Sequence, residues 1–450
     1  MHSKTTLASA SVSGLFGKYT HRFTFDDNEP FVILHGENGV GKTKFLEIIN
    51  AASHMRTFEI ARLPFESASL VYSDNSTLKV QVHSEHNEPG ETELPRNHVT
   101  YSLSTSDTKP VVYEAIETEA MARIRQYTRF KQLSDEWWED RTTGEHWLLD
   151  EIFENFEPAS PADAYVKDEN YKRIKDFTKA RPTVFIETHR LQPATLHNPR
   201  AYSLRLSRQN NLPQPRITER SEQIRERLNK AQREHSEIAQ NRDRTFPSRV
   251  LEAATQEGEV NEENIRERYR EQNSIRDRLA NFLSSPISGQ IPLRDSNLQK
   301  WELTLLDLYL KDSRDKLRPL EDILIRLELL EKIINKRLSN KTLRISYEHG
   351  LQVTEKDSEK PIDLEMLSSG EQHEIILMTD LLLNVSPGTV VLIDEPEISL
   401  HIAWQMEFIN DVRNIAETVG FQFVVATHSP QLIDRWWENT VALTIPEATS

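Results

Sequence analysis

Residues 36–43 read Gly36-Glu37-Asn38-Gly39-Val40-Gly41-Lys42-Thr43, one residue after the apolar run Phe31-Val32-Ile33-Leu34. The chain of 450 residues holds only 13 glycines, yet three of them fall within these first six positions. Glycine is the residue that lets a backbone take left-handed turns and approach a ligand closely. The spacing Gly-x-x-x-x-Gly-Lys-Thr after a strand, opening a helix, is the arrangement in which curled backbone turns its N–H groups toward a phosphate chain. The helix is predicted over Lys44–Ala52, from apolar residues at 45, 46, 48, 49 and 52. Its first turn adds unpaired N–H groups and a positive dipole end. On this reading Lys42 reaches the terminal phosphates of a triphosphate, and the Thr43 hydroxyl is a ligand of Mg2+.

A magnesium-bound triphosphate needs a second protein handle. Thr389-Val390-Val391-Leu392-Ile393 is an apolar strand that delivers Asp394 and Glu395 at its carboxyl end, the edge where open α/β sheets bind ligands. Asp394 is placed to complete the metal shell, and Glu395 to orient and polarise a water. Two further stretches bear on the same site. Leu367-Ser368-Ser369-Gly370-Glu371-Gln372 opens a helix with Ser368 lying 26 residues before Asp394; it reads as an anion site or as an ordinary helix cap. His428 follows the strand Phe421–Ala426. At that position it either senses a γ-phosphate or satisfies its own loop.

Around these motifs the chain divides by pattern. Residues 1 to about 115 predict short strands, including arms at Ser11–Phe16 and His21–Phe25, with Phe23 and Phe25 alternating with polar residues. Residues 117–180 read as mostly helical with core-filling aromatics Trp137, Trp138, Trp147, Phe153 and Phe156, followed by a strand at Thr183–Glu187. From 217 to 338 amphipathic helices dominate, with breaks expected at Phe246-Pro247 and at 284–289, and a kink or division at Pro319. Helices of this kind predict an antiparallel coiled coil or bundle. Strands return after 340, and the last hundred residues alternate helices with fully apolar strands, the mark of a parallel sheet covered on both faces.

Composition narrows the class further. The chain has no cysteine, which excludes disulfides, cysteine-held metal centres and a Cys-x-x-Cys zinc hook. It has no apolar run of membrane-spanning length and no signal-peptide core, so a soluble cytoplasmic protein is expected. The net charge of -16 disfavours non-specific nucleic-acid binding. The stretch 200–249 runs the other way, with 12 basic and 6 acidic residues, and reads either as an anion-facing patch or as a solvated helix of mixed charge.

In chain order the sequence thus carries a phosphate loop, a Leu-Ser-Ser-Gly-Glu helix start, an Asp-Glu strand end and a strand-end histidine. This order resembles the ABC-type ATPase head of the RecF, SMC and overcoming-lysogenization ATPases, most strongly over 11–52 and 340–445. The resemblance implies an α/β fold: an ABC-type P-loop ATPase head with an antiparallel β subdomain, interrupted by a helical or coiled-coil insertion. The head parts are expected at 1–200 and 340–450, and the insertion at 201–339. It implies ATP and Mg2+ as cofactors, hydrolysis to ADP and phosphate, and two heads facing each other. The signature of one head then closes over the γ-phosphate held by the other. Residue by residue it carries over to Gly36, Asn38, Gly39, Gly41, Lys42 and Thr43 as the P-loop and to Ser368, Ser369 and Gly370 as the signature. Asp394 and Glu395 carry over as the magnesium and water carboxylates, and His428 as the switch histidine. Ser399-Leu400-His401 falls at the inter-head contact loop, and Gln192 is the candidate for the glutamine loop. The signature departs from Leu-Ser-Gly-Gly-Gln at Ser369 and Glu371.

The later motifs look most like the stand-alone ATPases of bacterial anti-phage defence pairs such as PARIS and Septu, in which the ATPase assembles with a separate nuclease and controls it. Only 20 residues follow Pro430, too few for a nuclease domain after the head, so a nuclease is expected on another chain. The implied partners are a second copy, as a homodimer or a larger even oligomer, an effector nuclease and DNA, with no membrane. A RecF-like DNA-repair ATPase, a transporter's nucleotide-binding subunit and a non-hydrolysing scaffold stand as alternatives.

Overall fold

The computed structural model describes residues 5–26, 28–85, 96–106, 108–116, 130–133, 137–144, 146–148, 152, 169–187, 216–253, 261–282, 292–294 and 297–444. Two compact units divide the chain: Met1–His189 with Val385–Ser450, and Arg190–Asn384. The segment 340–384 therefore clusters with the helical residues before it, not with the residues that follow.

The first unit opens with β1 (Leu7–Leu15), β2 (Tyr19–Thr24), β3 (Phe31–His35), α1 (Lys42–His54) and α2 (Thr57–Arg62). Next come β4 (Ser67–Tyr72), β5 (Thr77–Glu85), β6 (Arg96–Thr105) and β7 (Thr108–Ile116). Six of these strands form an antiparallel sheet in the order β2-β1-β4-β5-β6-β7. Strand β2 shows why: Tyr19, His21 and Phe23 are buried, while Thr20, Arg22 and Thr24 alternate outward. Residues 117–180 are not mostly helical where they are described. A small antiparallel sheet, β8 (Phe130–Gln132), β9 (Trp137–Asp140) and β10 (His146–Leu148), precedes the helix α3 (Glu169–Lys179). These strands of three or four residues are too short to display a period. Trp138 is buried as a core residue; Phe153 and Phe156 lie outside the described residues. Strand β11 (Thr183–Glu187) closes this part.

The second unit contains three long helices, α4 (Arg216–Ala253), α5 (Glu262–Phe282) and α6 (Lys300–Arg337). Arg242 pairs with Asp315, and Arg249 with Asp312, so α4 and α6 run antiparallel. Arg268 pairs with Asp307, and Arg278 with Glu328, so α5 runs parallel to α6. The break expected at Phe246-Pro247 is absent and Pro319 does not divide its helix, since both prolines lie inside continuous helices; the break expected at 284–289 lies outside the described residues. A proline within a helix costs about 3 kcal/mol. The helices run on because neighbouring side chains are packed across the bundle: Leu317, Leu320 and Leu324 are buried with Ala231 and Leu279. The unit ends with the antiparallel strands β12 (Lys341–Ser346), β13 (Gly350–Glu355) and β14 (Pro361–Ile362), then α7 (Ser369–Thr379).

Back in the first unit lie β15 (Val390–Asp394), α8 (Ile402–Val419), β16 (Gln422–Thr427), the short α9 (Pro430–Ile433) and β17 (Thr440–Ala442). Strands from both ends of the chain form one five-stranded sheet, ordered β11-β15-β16-β3-β17, with every pair parallel. Val391, Leu392, Ile393, Phe423, Val424, Val425, Ile33 and Leu34 are all fully buried, as strands covered on both faces must be. The expected class is observed: an α/β head with an antiparallel sheet and a large helical insertion. Among the described residues, no helix is long and apolar enough to cross a membrane.

His373 in α7 is buried, and neither ring nitrogen has a hydrogen-bond partner among the described residues. Burial pushes its imidazole down from 6.5 to about 4. The unfolded chain takes up this proton near pH 6.5 and the folded chain only near pH 4, so stability is lost as pH falls through that window. At the bottom of the window the loss should reach about 2–3 kcal/mol. Denaturant titrations at pH 7 and pH 4.5 should show that His373→Leu removes this part of the acid sensitivity; an unchanged pH dependence would show that His373 is not its source.

Candidate functional site

Three parallel strands end side by side. Asp394, last in β15, is level with Ala426 of β16, and Thr427, last in β16, is level with His35, last in β3. The residues that leave those strand ends, Glu395, His428 and Gly36, therefore share one rim of the sheet. Ligands of open α/β sheets gather at this carboxyl rim.

From β3 the chain enters the glycine loop. Gly39 and Gly41 take left-handed conformations, with φ of 83° and 94°. Such steps bend successive N–H groups toward a common centre. At Gly41 a side chain is also excluded by space, because a Cβ would lie 2.6 Å from Leu15 Cδ2. Helix α1 then starts at Lys42 with no side-chain cap and no acidic residue in its first turn. Its first N–H groups and its dipole are left for an anion. Asn38 is exposed in the loop.

Lys42 is buried, and its Nζ donates to the carbonyls of Gly36 (3.0 Å) and Glu37 (3.2 Å). The same Nζ lies 2.5 Å from His428 Nε2. Burial pushes the ammonium below its ordinary value, against the opposing pull of Glu395, Asp394 and Glu397. One residue on, the Thr43 hydroxyl donates to Asp394 Oδ2 at 2.8 Å, across 351 positions of sequence. Glu395 is left-handed, with φ 46° and ψ 54°, and its N–H donates to the Ala426 carbonyl at 2.8 Å. A non-glycine residue in that region carries about 1 kcal/mol of strain. The turn brings Glu395 Oε1 to 3.5 Å from His428 Nε2.

Lys42, Thr43, Asp394, Glu395 and His428 thus form one cluster. Ser368, Ser369 and Gly370 belong to the second unit. There Ser368 caps α7, its hydroxyl accepting the Glu371 N–H at 3.3 Å. Gln192 lies outside the described residues. A threonine hydroxyl and a carboxylate side by side are hard oxygen donors, and this pair fits Mg2+. The uncapped helix start and buried lysine fit a phosphate chain.

Three residues not singled out from sequence support the cluster. His21 of β2 is buried, stacked on Tyr19 and edge-on to Phe45, and its Nε2–H donates to the Val40 carbonyl at 2.7 Å inside the loop. Its alternation with Phe23 and Phe25 marks it as inward-facing, but nothing in the sequence ties it to residue 40. Glu397 Oε1 accepts the His428 N–H at 2.7 Å. Gln405 of α8 donates to the Glu397 and Leu400 carbonyls and accepts the Ser429 hydroxyl at 2.7 Å, tying together the turns after β15 and β16.

The family model described as an AAA ATPase domain matches residues 16–433. No curated protein matches the chain. Among solved structures it is similar to an Smc head domain with an extended coiled coil, bound to the C-terminal domain of ScpA, from Pyrococcus furiosus. That chain is 13% identical, with 97% of this chain and 93% of that one covered and a TM-score of 0.36. The SMC head domain from Thermotoga maritima is 11% identical, with 97% and 92% covered and a TM-score of 0.30. An Smc head domain with a coiled coil and joint from Pyrococcus yayanosii is 12% identical, with 97% and 95% covered and a TM-score of 0.33. Superpositions this loose leave the fold to rest on strand order and loop geometry.

His21→Phe keeps an aromatic ring at this position but leaves the buried Val40 carbonyl without its donor, at a cost of about 1–3 kcal/mol. Calorimetric titration with ATP should show affinity weakened by about 5-fold or more, with the thermal midpoint lowered only modestly. Unaltered affinity would show that the loop does not depend on this bond.

Proposed function

The chain belongs to the AAA ATPase domain family, and from that premise we propose an ATP-driven switch in which two copies close over two nucleotides and control a separate effector nuclease of an anti-phage defence complex. The protein hydrolyses ATP. The observation that carries the site assignment is the convergence of Lys42, Thr43, Asp394, Glu395 and His428 on one sheet rim. Support for the defence role is the resemblance of the motifs around Ser368, Asp394 and His428 to the ATPases of such pairs.

In the proposed mechanism the N–H groups of residues 36–43 and the start of α1 bind the phosphates. The Lys42 ammonium exchanges its carbonyl partners for phosphate oxygens. Thr43 and Asp394 hold Mg2+, which supplies charge neutralisation on the phosphates when bound. Glu395 accepts a proton from, or orients, the attacking water. His428, within reach of both Lys42 and Glu395, reads the γ-phosphate. Ser368, Ser369 and Gly370 of a second copy complete the site, and Gln192 contributes from the glutamine loop. The differential affinity of closed and open pairs for ATP is then the energy available to the effector.

A RecF-like role in DNA maintenance is the alternative. The basic stretch that would support it is partly neutralised within its own unit: Arg220 pairs with Asp380, Arg242 with Asp315 and Arg249 with Asp312. Weak DNA binding with a shallow salt dependence is therefore expected.

Glu395→Gln should lower ATP turnover about 100-fold or more, while ATP still binds and light scattering reports a persistent ATP-dependent dimer. A turnover rate equal to wild type would remove Glu395 from the mechanism. Native purification should recover a nuclease chain by mass; steep salt-sensitive DNA binding with no such chain would favour the alternative.

A further inference from the structure

Glu371 stands where the resembling signature has glutamine, which places a carboxylate beside the serine expected to meet a γ-phosphate. A bare carboxylate there would repel that phosphate. Three donors converge on it instead. Glu371 Oε2 accepts the Ser368 N–H, the Ser368 hydroxyl and the Lys341 ammonium, each at 2.8 Å. The other oxygen accepts from Lys341 at 2.9 Å. Burial pushes the Glu371 carboxyl up, but the hydrogen bonds from Lys341 and Ser368 outweigh it and hold it below its ordinary value. Its ion pair with Lys341 is thus part of what favours the charged form.

Lys341 is the first residue of β12, four residues beyond Arg337 at the end of α6. Arg337 pairs with Glu374 of α7, one helical turn after Glu371. Both partners of that second pair are buried, whereas the Lys341 side chain is only partly buried, at 27% exposure. What it supplies is charge.

We propose that Lys341 is a positioning residue for the signature serine: it neutralises Glu371, so that the carboxylate behaves as a glutamine-like cap and Ser368 can turn its hydroxyl from Glu371 to a phosphate oxygen. This rests on the reading that the signature of one copy closes over the nucleotide of another. Without Lys341 the carboxylate keeps its full charge, holds the Ser368 hydroxyl more tightly and opposes the approaching phosphate. Removing the charge from Glu371 itself should then make Lys341 dispensable, an outcome that loss of mere packing does not produce.

The test measures association of the full-length chain by analytical ultracentrifugation, with and without Mg2+ and a non-hydrolysable ATP analogue. Wild type, Lys341→Met, Glu371→Gln and the double variant are compared. Nucleotide binding to the monomer, followed with a fluorescent ATP analogue, should be the same in all four. Lys341→Met should weaken nucleotide-dependent dimerisation by about tenfold or more, Glu371→Gln should be close to wild type, and the double variant should recover. Dimerisation of Lys341→Met equal to wild type overturns the inference alone, and so does a double variant no better than Lys341→Met. A wild-type protein that does not associate with nucleotide overturns the two-copy reading and the inference with it.

Discussion

The hydrogen bond from Thr43 to Asp394 joins positions 351 residues apart, and the rest of the site depends on the constraint that allows it. That constraint is the register of three adjacent parallel strands. Strand β16 lies between the strand that launches the glycine loop and the one that ends in Asp394. Its own end delivers His428 between Lys42 and Glu395. A slip of one residue in any of these pairs would turn every side chain of that strand to the opposite face. Continuous apolar sequence makes the sheet buried on both faces, and exact packing on both faces then fixes the levels at which the strands end.

The ammonium of the cluster is also fully partnered within the chain. A buried ammonium without partners would be costly. Lys42 has two carbonyls and an imidazole, while three carboxylates surround it at longer range. In the proposed mechanism phosphate binding is therefore an exchange of partners at Lys42, not the burial of a new unpaired charge. The same economy holds at Glu395, where a left-handed backbone is held by its N–H bond to Ala426 and places the carboxylate near His428. Groups already oriented for a developing charge need little reorganisation when it forms.

The parts of this arrangement that were legible in the sequence are those in which one residue type has a single physical use. Gly41 has to be glycine for both conformation and space, and Lys42-Thr43 after it at a helix start has few other readings. The runs Phe31–Leu34, Val390–Ile393 and Phe423–Ala426 announce buried strands because nothing polar interrupts them. Other features were hidden because tertiary packing overrode a local rule. Pro247 read as a break and Pro319 as a kink or division, yet each sits in an undivided 38-residue helix whose ion pairs and leucines are satisfied across the bundle. Strands β8–β10 were too short to show a period. His21 was visible as an inward-facing residue, but its partner is a main-chain carbonyl, and a carbonyl leaves no trace in sequence.

Two helix starts in this chain are built for opposite conditions. Helix α1 begins with no side-chain cap and no acidic residue, so its N–H groups can receive a phosphate without displacing a protein group. Helix α7 begins with a reciprocal box in which Ser368 and Glu371 satisfy one another, so a phosphate can reach the Ser368 hydroxyl only by replacing an existing bond. The first event costs little reorganisation; the second is a competition whose outcome depends on how strongly Glu371 holds the serine. If both starts serve the same nucleotide from different copies, this asymmetry sets their order. The P-loop fills first on each chain alone. Closure by the signature follows only when the bound γ-phosphate is a better partner than Glu371, which ADP, lacking that phosphate, cannot be.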